Sequence, residues 1–252
     1  MKDTTEHGIP RVVAIAWGML EAPQRGPSRA LSHERIVSAA IEIADTDGLA
    51  AVTMQRVAQS LGFTTMSLYR YVSSKDELLT LMQDAAVQLP KSGTWPPPEG
   101  WQEGLRQWAA HLRDIYRARP WLLEIPRNAT ALLMPNSMEV ADRALAVLST
   151  VRITMEQKIA VVLNLSLMVA GFVRLEQELT SAEDLTLDAE GLALLSEVIT
   201  DERLPTLGPM TRAGEYVARP DSGESQDVDV EYSMGLDWMI AGIERLDAAA
   251  TE

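Results

Sequence analysis

Between Thr53 and Lys75 two short apolar periods are separated by a single glycine, and that spacing leaves few folds open. Val57, Ala58 and Leu61 recur as one face of a helix. Thr53 stands just before them as an N-cap, its side-chain oxygen accepting a backbone N–H of the first turn, while the cationic Arg56 excludes a capping box. Gly62 follows the last periodic residue, where a left-handed conformation costs glycine least. Thr64 or Thr65 opens the next helix, whose Leu68 and Val72 at i and i+4 face inward. Thr65, Met66, Ser67, Tyr69 and Arg70 are left facing outward. Ser73 or Ser74 caps a further helix that starts at Lys75-Asp-Glu-Leu-Leu. Such a helix–turn–helix presents its second helix to the major groove of DNA. The plainer alternative is a helical hairpin in which Tyr69 and Tyr71 are half-buried packing residues.

The formal charge of −14 at first argues against a nucleic-acid partner. Its distribution changes the argument: residues 1–90 carry 8 Lys/Arg and 10 Asp/Glu, and the remainder 14 and 26. The acidity therefore lies mostly outside the segment that would meet DNA. Arg29, Arg35, Arg56, Arg70 and Lys75 can line one side of that segment, with Glu42, Asp45 and Asp47 late in its first helix. So few cations predict weak non-specific binding and a shallow dependence on salt.

The absence of cysteine excludes a disulfide framework and thiolate metal sites. The first residues do not form a secretory signal, so a cytoplasmic location is expected. Residues 1–28 read as an arm in which Val12–Leu20, around Trp17, forms either a short helix packed on the next unit or an apolar sticky stretch, and Arg25 and Arg29 flank Gly26-Pro27, where the arm either reaches a minor groove or stays solvated. Residues 29–89 form the helix-turn-helix unit. The proline-rich 90–100 forms a linker, and 101–252 a second helical domain.

In that second domain helices are expected over Trp101–Arg119, from an Asn136/Glu139 capping box through Ser149, from a Thr154/Gln157 box to about Leu179, over Asp188–Thr200 and over Val228–Ala248. Residues 205–227 read as a mobile loop. No strand is expected; the fold class is all-α.

The segments Leu31–Leu49 and Gly62–Leu79 (GFTTMSLYRYVSSKDELL) resemble the N-terminal domain of the tetracycline-repressor (TetR) family. More loosely, Gly100-Trp-Gln-Glu-Gly-Leu-Arg106, Arg119-Pro-Trp-Leu-Leu123 and Val169-Ala-Gly-Phe-Val-Arg-Leu-Glu176 are similar to the family's ligand domain. The resemblance implies a transcriptional regulator, most simply a repressor, that binds a palindromic operator as a homodimer and lets go when a small molecule binds. It places Thr65, Met66 and Arg70 against base edges, with Gln55 within reach of one. Thr53, Ser67, Tyr69, Tyr71 and Lys75 would fall on phosphates; Thr64, at the cap, belongs to the same surface. An arginine suits guanine and a glutamine adenine.

Ile159–Val173 is interrupted only by Asn164, Ser166 and Gly171, too short and too polar a run for a membrane span of about 20 apolar residues. A helix apolar nearly all round needs cover on more than one side. The helix over 154–179 and the final helix over 228–248, with Met234 and Trp238 in its stripe, are expected to pair with their symmetry mates; a monomeric bundle is the alternative. An effector pocket would be lined by Trp108, His111, Leu112, Trp121, Met134, Met138, Met168 and Phe172, with Asn164 and Arg174 as polar groups. Each of these residues is also a natural core residue. Tetracycline recognition in the family uses histidines beside magnesium, and His111 alone does not make that site. No cofactor or metal is expected. Without a nucleophile–base pair, a metal motif or a phosphate-cradling glycine loop, an enzyme is disfavoured. The rival function is a protein-binding adaptor on the same fold that has lost DNA binding.

Overall fold

Local signals and helix ends coincide over most of the N-terminal half. The structure, a computed structural model, describes Thr4 and residues 8–20, 31–88, 100–126, 128–181, 189–213 and 228–250. The arginines at 25 and 29 and nearly all of the expected linker 90–100 lie outside these residues.

Helix α1 (Arg11–Ala16) overlaps the first half of the expected Val12–Leu20 patch, starting one residue earlier, and buries Val13, Ala14 and Ile15. Helix α2 (His33–Asp47) is capped by Ser32, whose side chain accepts the Arg35 N–H. Helices α3 (Met54–Ser60), α4 (Thr65–Tyr69) and α5 (Lys75–Ala86) follow, capped by Thr53, Thr64 and Ser74. Gly62 adopts φ +76° between α3 and α4. A Cβ there would meet no neighbouring atom. Its glycine is thus a requirement of the backbone angle alone. Ile36, Ala40, Val52, Val57, Leu68, Val72, Leu78 and Met82 form the centre of the core, each without measurable exposure.

Helix α6 (Trp101–Ala118) and helix α7 (Pro135–Val147) come next. They approach so closely that a Cβ on Gly104 would lie 2.7 Å from a Val147 methyl. The Trp108 indole N–H donates to the Val140 carbonyl at 2.9 Å. The 3-10 turns Pro120–Leu123 and Ala129–Leu133, which periodicity did not signal, connect these helices. The expected Asn136/Glu139 capping box does not form. Met134 is the cap position of α7, without a side-chain bond. Asp84 of α5 takes over the task from a distance: the Ser137 N–H and hydroxyl donate to its Oδ1 (2.9 and 3.2 Å), and Asn136 Nδ2 donates to Oδ2 (3.0 Å). Glu139 pairs instead with Arg143.

Helix α8 (Met155–Ser181) starts with the expected box. Thr154 N–H donates to Gln157 Oε1 (2.9 Å), and Gln157 N–H to Thr154 Oγ1 (3.2 Å). Helices α9 (Ala189–Val198), α10 (Leu207–Ala213) and α11 (Val228–Ala249) complete the chain. Two compact units result: Met1–Val173 with Ile240–Glu252, and Arg174–Met239. Within the second, α10 corrects the expectation of a loop over 205–227. Its Pro209 stands in the first turn, where a missing N–H leaves no intrahelical bond unmade. Gly208 is buried, and a Cβ on it would strike Asp201 and Thr200. This helix is selected by close packing on the 200–203 turn, which a sequence period does not register.

By length and composition Met155–Leu179 (25 residues) would suffice to cross a bilayer. The same length and composition are met by helices covered by protein. Two polar side chains of α8 bond their own helix: Asn164 Nδ2 donates to the Ala160 carbonyl and Ser166 Oγ to that of Val162, both at 2.7 Å.

Candidate nucleic-acid interface

The outward face of α4 is open. Leu68 and Val72 are fully buried beneath it, while Met66 is 75% and Tyr69 44% exposed. Arg70 is exposed, and Thr65, Ser67 and Tyr71 are half-buried. Thr64 Oγ1 accepts the Ser67 N–H at 3.3 Å and lies 2.9 Å from the Ser67 hydroxyl, so the helix start is fixed before anything docks on it. On α3, Thr53 and Gln55 are exposed. Thr53 Oγ1 accepts the Arg56 N–H (3.1 Å), which occupies the hydroxyl as a cap. Lys75 opens α5 and is exposed. Neither Arg70 nor Lys75 makes an ion pair among the described residues, whereas Arg56 pairs with Asp47. Arg56 is thereby withdrawn from the set of free cations expected on this side.

Sequence reasoning left open which serine caps α5, and the structure gives both a task. Ser74 Oγ accepts the Glu77 N–H at 3.1 Å. Glu77 reaches back to Ser73, whose N–H and hydroxyl donate to its carboxylate at 3.0 and 2.9 Å. Glu77 is buried, and Arg11 of α1 also reaches it. The sequence reading missed this part of the site. The only sequence signal for it was an acidic residue at N3 of α5.

The residues expected around an effector do not form one group. Trp121 and Met134 are buried in the same core cluster as the helix-turn-helix residues. The Trp121 indole N–H donates to Asp45 Oδ1 of α2 at 2.7 Å, and Arg119 reaches the same carboxylate at 3.3 Å. Trp108 and Leu112 are buried on α6, with half-buried His111 beside them. Burial lowers the His111 pKa. Its Nε2 is buried with no hydrogen-bond partner among the described residues. Met168 and Phe172 are half-buried on α8; Met138, Asn164 and Arg174 are exposed. Asn164 bonds its own helix and not a cavity. A cavity of about 710 Å³ does open between α1, α2, α5 and the start of α7, lined by Ile15, His33, Glu42, Asp84, Arg119 and Asn136 among others. None of the ten residues proposed for the effector lines it.

Residues 36–82 match the family model described as bacterial regulatory proteins of the tetR family, and 95–246 match the tetracyclin repressor-like C-terminal domain. The second match alone spans more than half of the chain. The chain belongs to the tetR family. As a tetR-family protein it is a ligand-responsive, DNA-binding transcriptional regulator. The HTH-type transcriptional repressor DrrR1 of Streptomyces coeruleorubidus is 31% identical over 95% of this chain and 87% of its own length. The tetracycline repressor protein class E of Escherichia coli is 26% identical, over 61% of this chain and 72% of its own. Among solved structures, the Streptomyces coelicolor TetR family protein ActR in complex with (S)-DNPA superposes with a TM-score of 0.67 at 27% identity, covering 86% of this chain and 98% of ActR. These tetR-family relatives extend the resemblance through the region where the motifs were loosest.

Proposed function

We propose that this tetR-family protein is a homodimeric repressor that holds a palindromic operator with two copies of α4. A small apolar or aromatic effector releases it. The observation that carries the reading is the division of α4 into a sealed inner face and an unpaired outer one, with Met66, Tyr69 and Arg70 accessible. On this reading Thr65, Met66, Arg70 and Gln55 meet base edges, with Met66 limited to apolar contact such as a thymine methyl. Thr53, Thr64, Ser67, Tyr69, Tyr71 and Lys75 meet the backbone. Residues 29–89 are the reading domain and 101–252 the effector and dimer domain.

Dimerisation draws support from α8. Met155, Ile159, Leu163, Leu167, Leu175 and Leu179 recur every fourth residue or in multiples of it, and all are exposed. Val162, Leu165, Val169 and Val173 of the same helix are already buried. On α11 Trp238 is 69% exposed. A second copy covering these stripes would set two reading helices at half-sites about 34–36 Å apart. For the effector, the supporting features are the aromatic and histidine side chains of α6, with the unpartnered Nε2 of His111 as a polar anchor. ActR, solved in complex with (S)-DNPA, supports a small-molecule effector.

The test is selection of bound sequences from random duplex, followed by shift assays on the selected site and on the protein's own upstream region at low salt. Enrichment of a two-fold symmetric sequence is expected. Failure to retain any duplex would leave the adaptor reading.

A further inference from the structure

Helix α4 has only five residues, so little within it fixes its direction. Its exit, residues 71–73, is held by side chains from three other helices. The Tyr71 carbonyl accepts Arg11 Nη2 from α1 at 3.0 Å and lies 3.0 Å from His33 Nε2 of α2. The Tyr71 ring meets the His33 ring edge to face, with centroids 5.6 Å apart. The other guanidinium nitrogen of Arg11 binds Glu77 Oε1, the oxygen that also takes the Ser73 N–H. Arg11 therefore joins the carbonyl at the end of the recognition helix to the carboxylate that caps the next one. Val13 and Ile15, on the same short helix, anchor it in the head's core.

We propose that Arg11 is a positioning residue for DNA recognition: it clamps the Tyr71 carbonyl and Glu77 together and so fixes the angle at which α4 is presented. This rests on the reading of α4 as the recognition helix. Arg11 reaches no base in this role. Its guanidinium is spent on protein acceptors, and the segment N-terminal to the conventional helix-turn-helix becomes part of the reading head.

The experiment uses the full chain with Arg11→Met, which keeps length and apolar bulk but removes the donors, and Arg11→Lys, which can serve one acceptor at a time. Amide hydrogen exchange is measured on the free protein, and affinity for the selected duplex is measured across a salt series. In Arg11→Met, amides of residues 66–73 should exchange faster while those of α2 and α8 keep wild-type rates. Affinity should fall about tenfold or more, the loss of a charged hydrogen-bond pair, at an unchanged salt slope. Arg11→Lys should fall between. Wild-type exchange and affinity in Arg11→Met overturn the proposal. So does a salt slope reduced by about 0.9, which would mean that Arg11 neutralises a phosphate itself. Should Arg11→Met not fold, the same two readings are taken from Arg11→Lys and Glu77→Gln. A wild-type chain that binds no duplex defeats the DNA reading, and the exchange data still decide whether the clamp exists.

Discussion

Helices α3–α5 and helix α8 use apolar residues in opposite ways. In the head Val57, Leu68, Val72, Leu78 and Met82 are sealed by their own chain, and the large apolar side chains that α3–α5 leave exposed are Met66 and Tyr69. In α8 one face is sealed, and a second stripe through Ile159, Leu163 and Leu167 stays open to solvent. Burial of apolar area contributes roughly 25 cal/mol per Å², so an open stripe of leucines is free energy that another surface can still recover. The head is complete within one chain; on the proposed reading a second copy completes α8. On that reading recognition and assembly reside in different elements, and a substitution in one should leave the other intact.

The largest test of that contrast is Leu163→Arg. A charge in the middle of the stripe should leave the head folded and turn the protein monomeric at micromolar concentration in sedimentation equilibrium. Operator affinity should then fall by about 100-fold or more, because a second head no longer acts at high effective concentration. A Leu163→Arg protein that stays dimeric would show that the stripe is not where copies meet.

Arg70→Ala acts in the other region. It should lose about 1–3 kcal/mol of discrimination at one base position, whereas Lys75→Ala should weaken all sequences alike and lower the salt slope by about 1. Competition binding on single-base variants separates the two. Neither should change the sedimentation of the dimer.

Asp84 joins α5 of the head to the start of α7 and carries a pH signature of its own. Asp84→Ala strands the N–H groups at the start of α7 and should lower the unfolding free energy by about 1–3 kcal/mol in urea titrations. Burial raises the Asp84 pKa above its ordinary value, although bonds from Ser137 and Asn136 oppose the rise. The folded state therefore holds this proton more tightly than the unfolded chain. Its contribution to stability is greatest below the ordinary carboxylate range and declines as pH rises through the raised value. Asp84→Asn should remove that part of the pH dependence. An unchanged stability profile between pH 4 and 7 would show that this carboxylate does not titrate there.

The smallest effects belong to local signals in the head. Thr64→Ala removes the α4 cap and should cost about 1 kcal/mol. Gly62→Ala, at positive φ with no steric neighbour, should cost about the same. Thermal unfolding monitored by circular dichroism measures both, and a neutral Gly62→Ala would mean that the turn relaxes.

Much of this molecule was legible without coordinates because it depends on neighbours in sequence. Caps at Thr53, Thr64 and Thr154, the turn at Gly62 and the inward pair Leu68/Val72 all follow from groups three or four residues apart. The effector region was far less legible. Trp121 and Met134 looked like pocket residues but are part of the head's core, since an aromatic or a methionine carries no mark of which neighbour it will meet. Asn136 looked like a cap, but Asp84, 52 residues earlier, does that work.

The amino-acid order alone determined the helix-turn-helix, its exposed row and the apolar surplus of α8, because hydrogen-bond spacing and hydrophobic period are local properties. Tertiary structure decided how α7 is capped, why residues 207–213 are helical, and that Arg11 and His33 converge on the Tyr71 carbonyl. Those outcomes depend on a side chain finding an acceptor or a tight surface far along the chain, and no local period encodes that meeting.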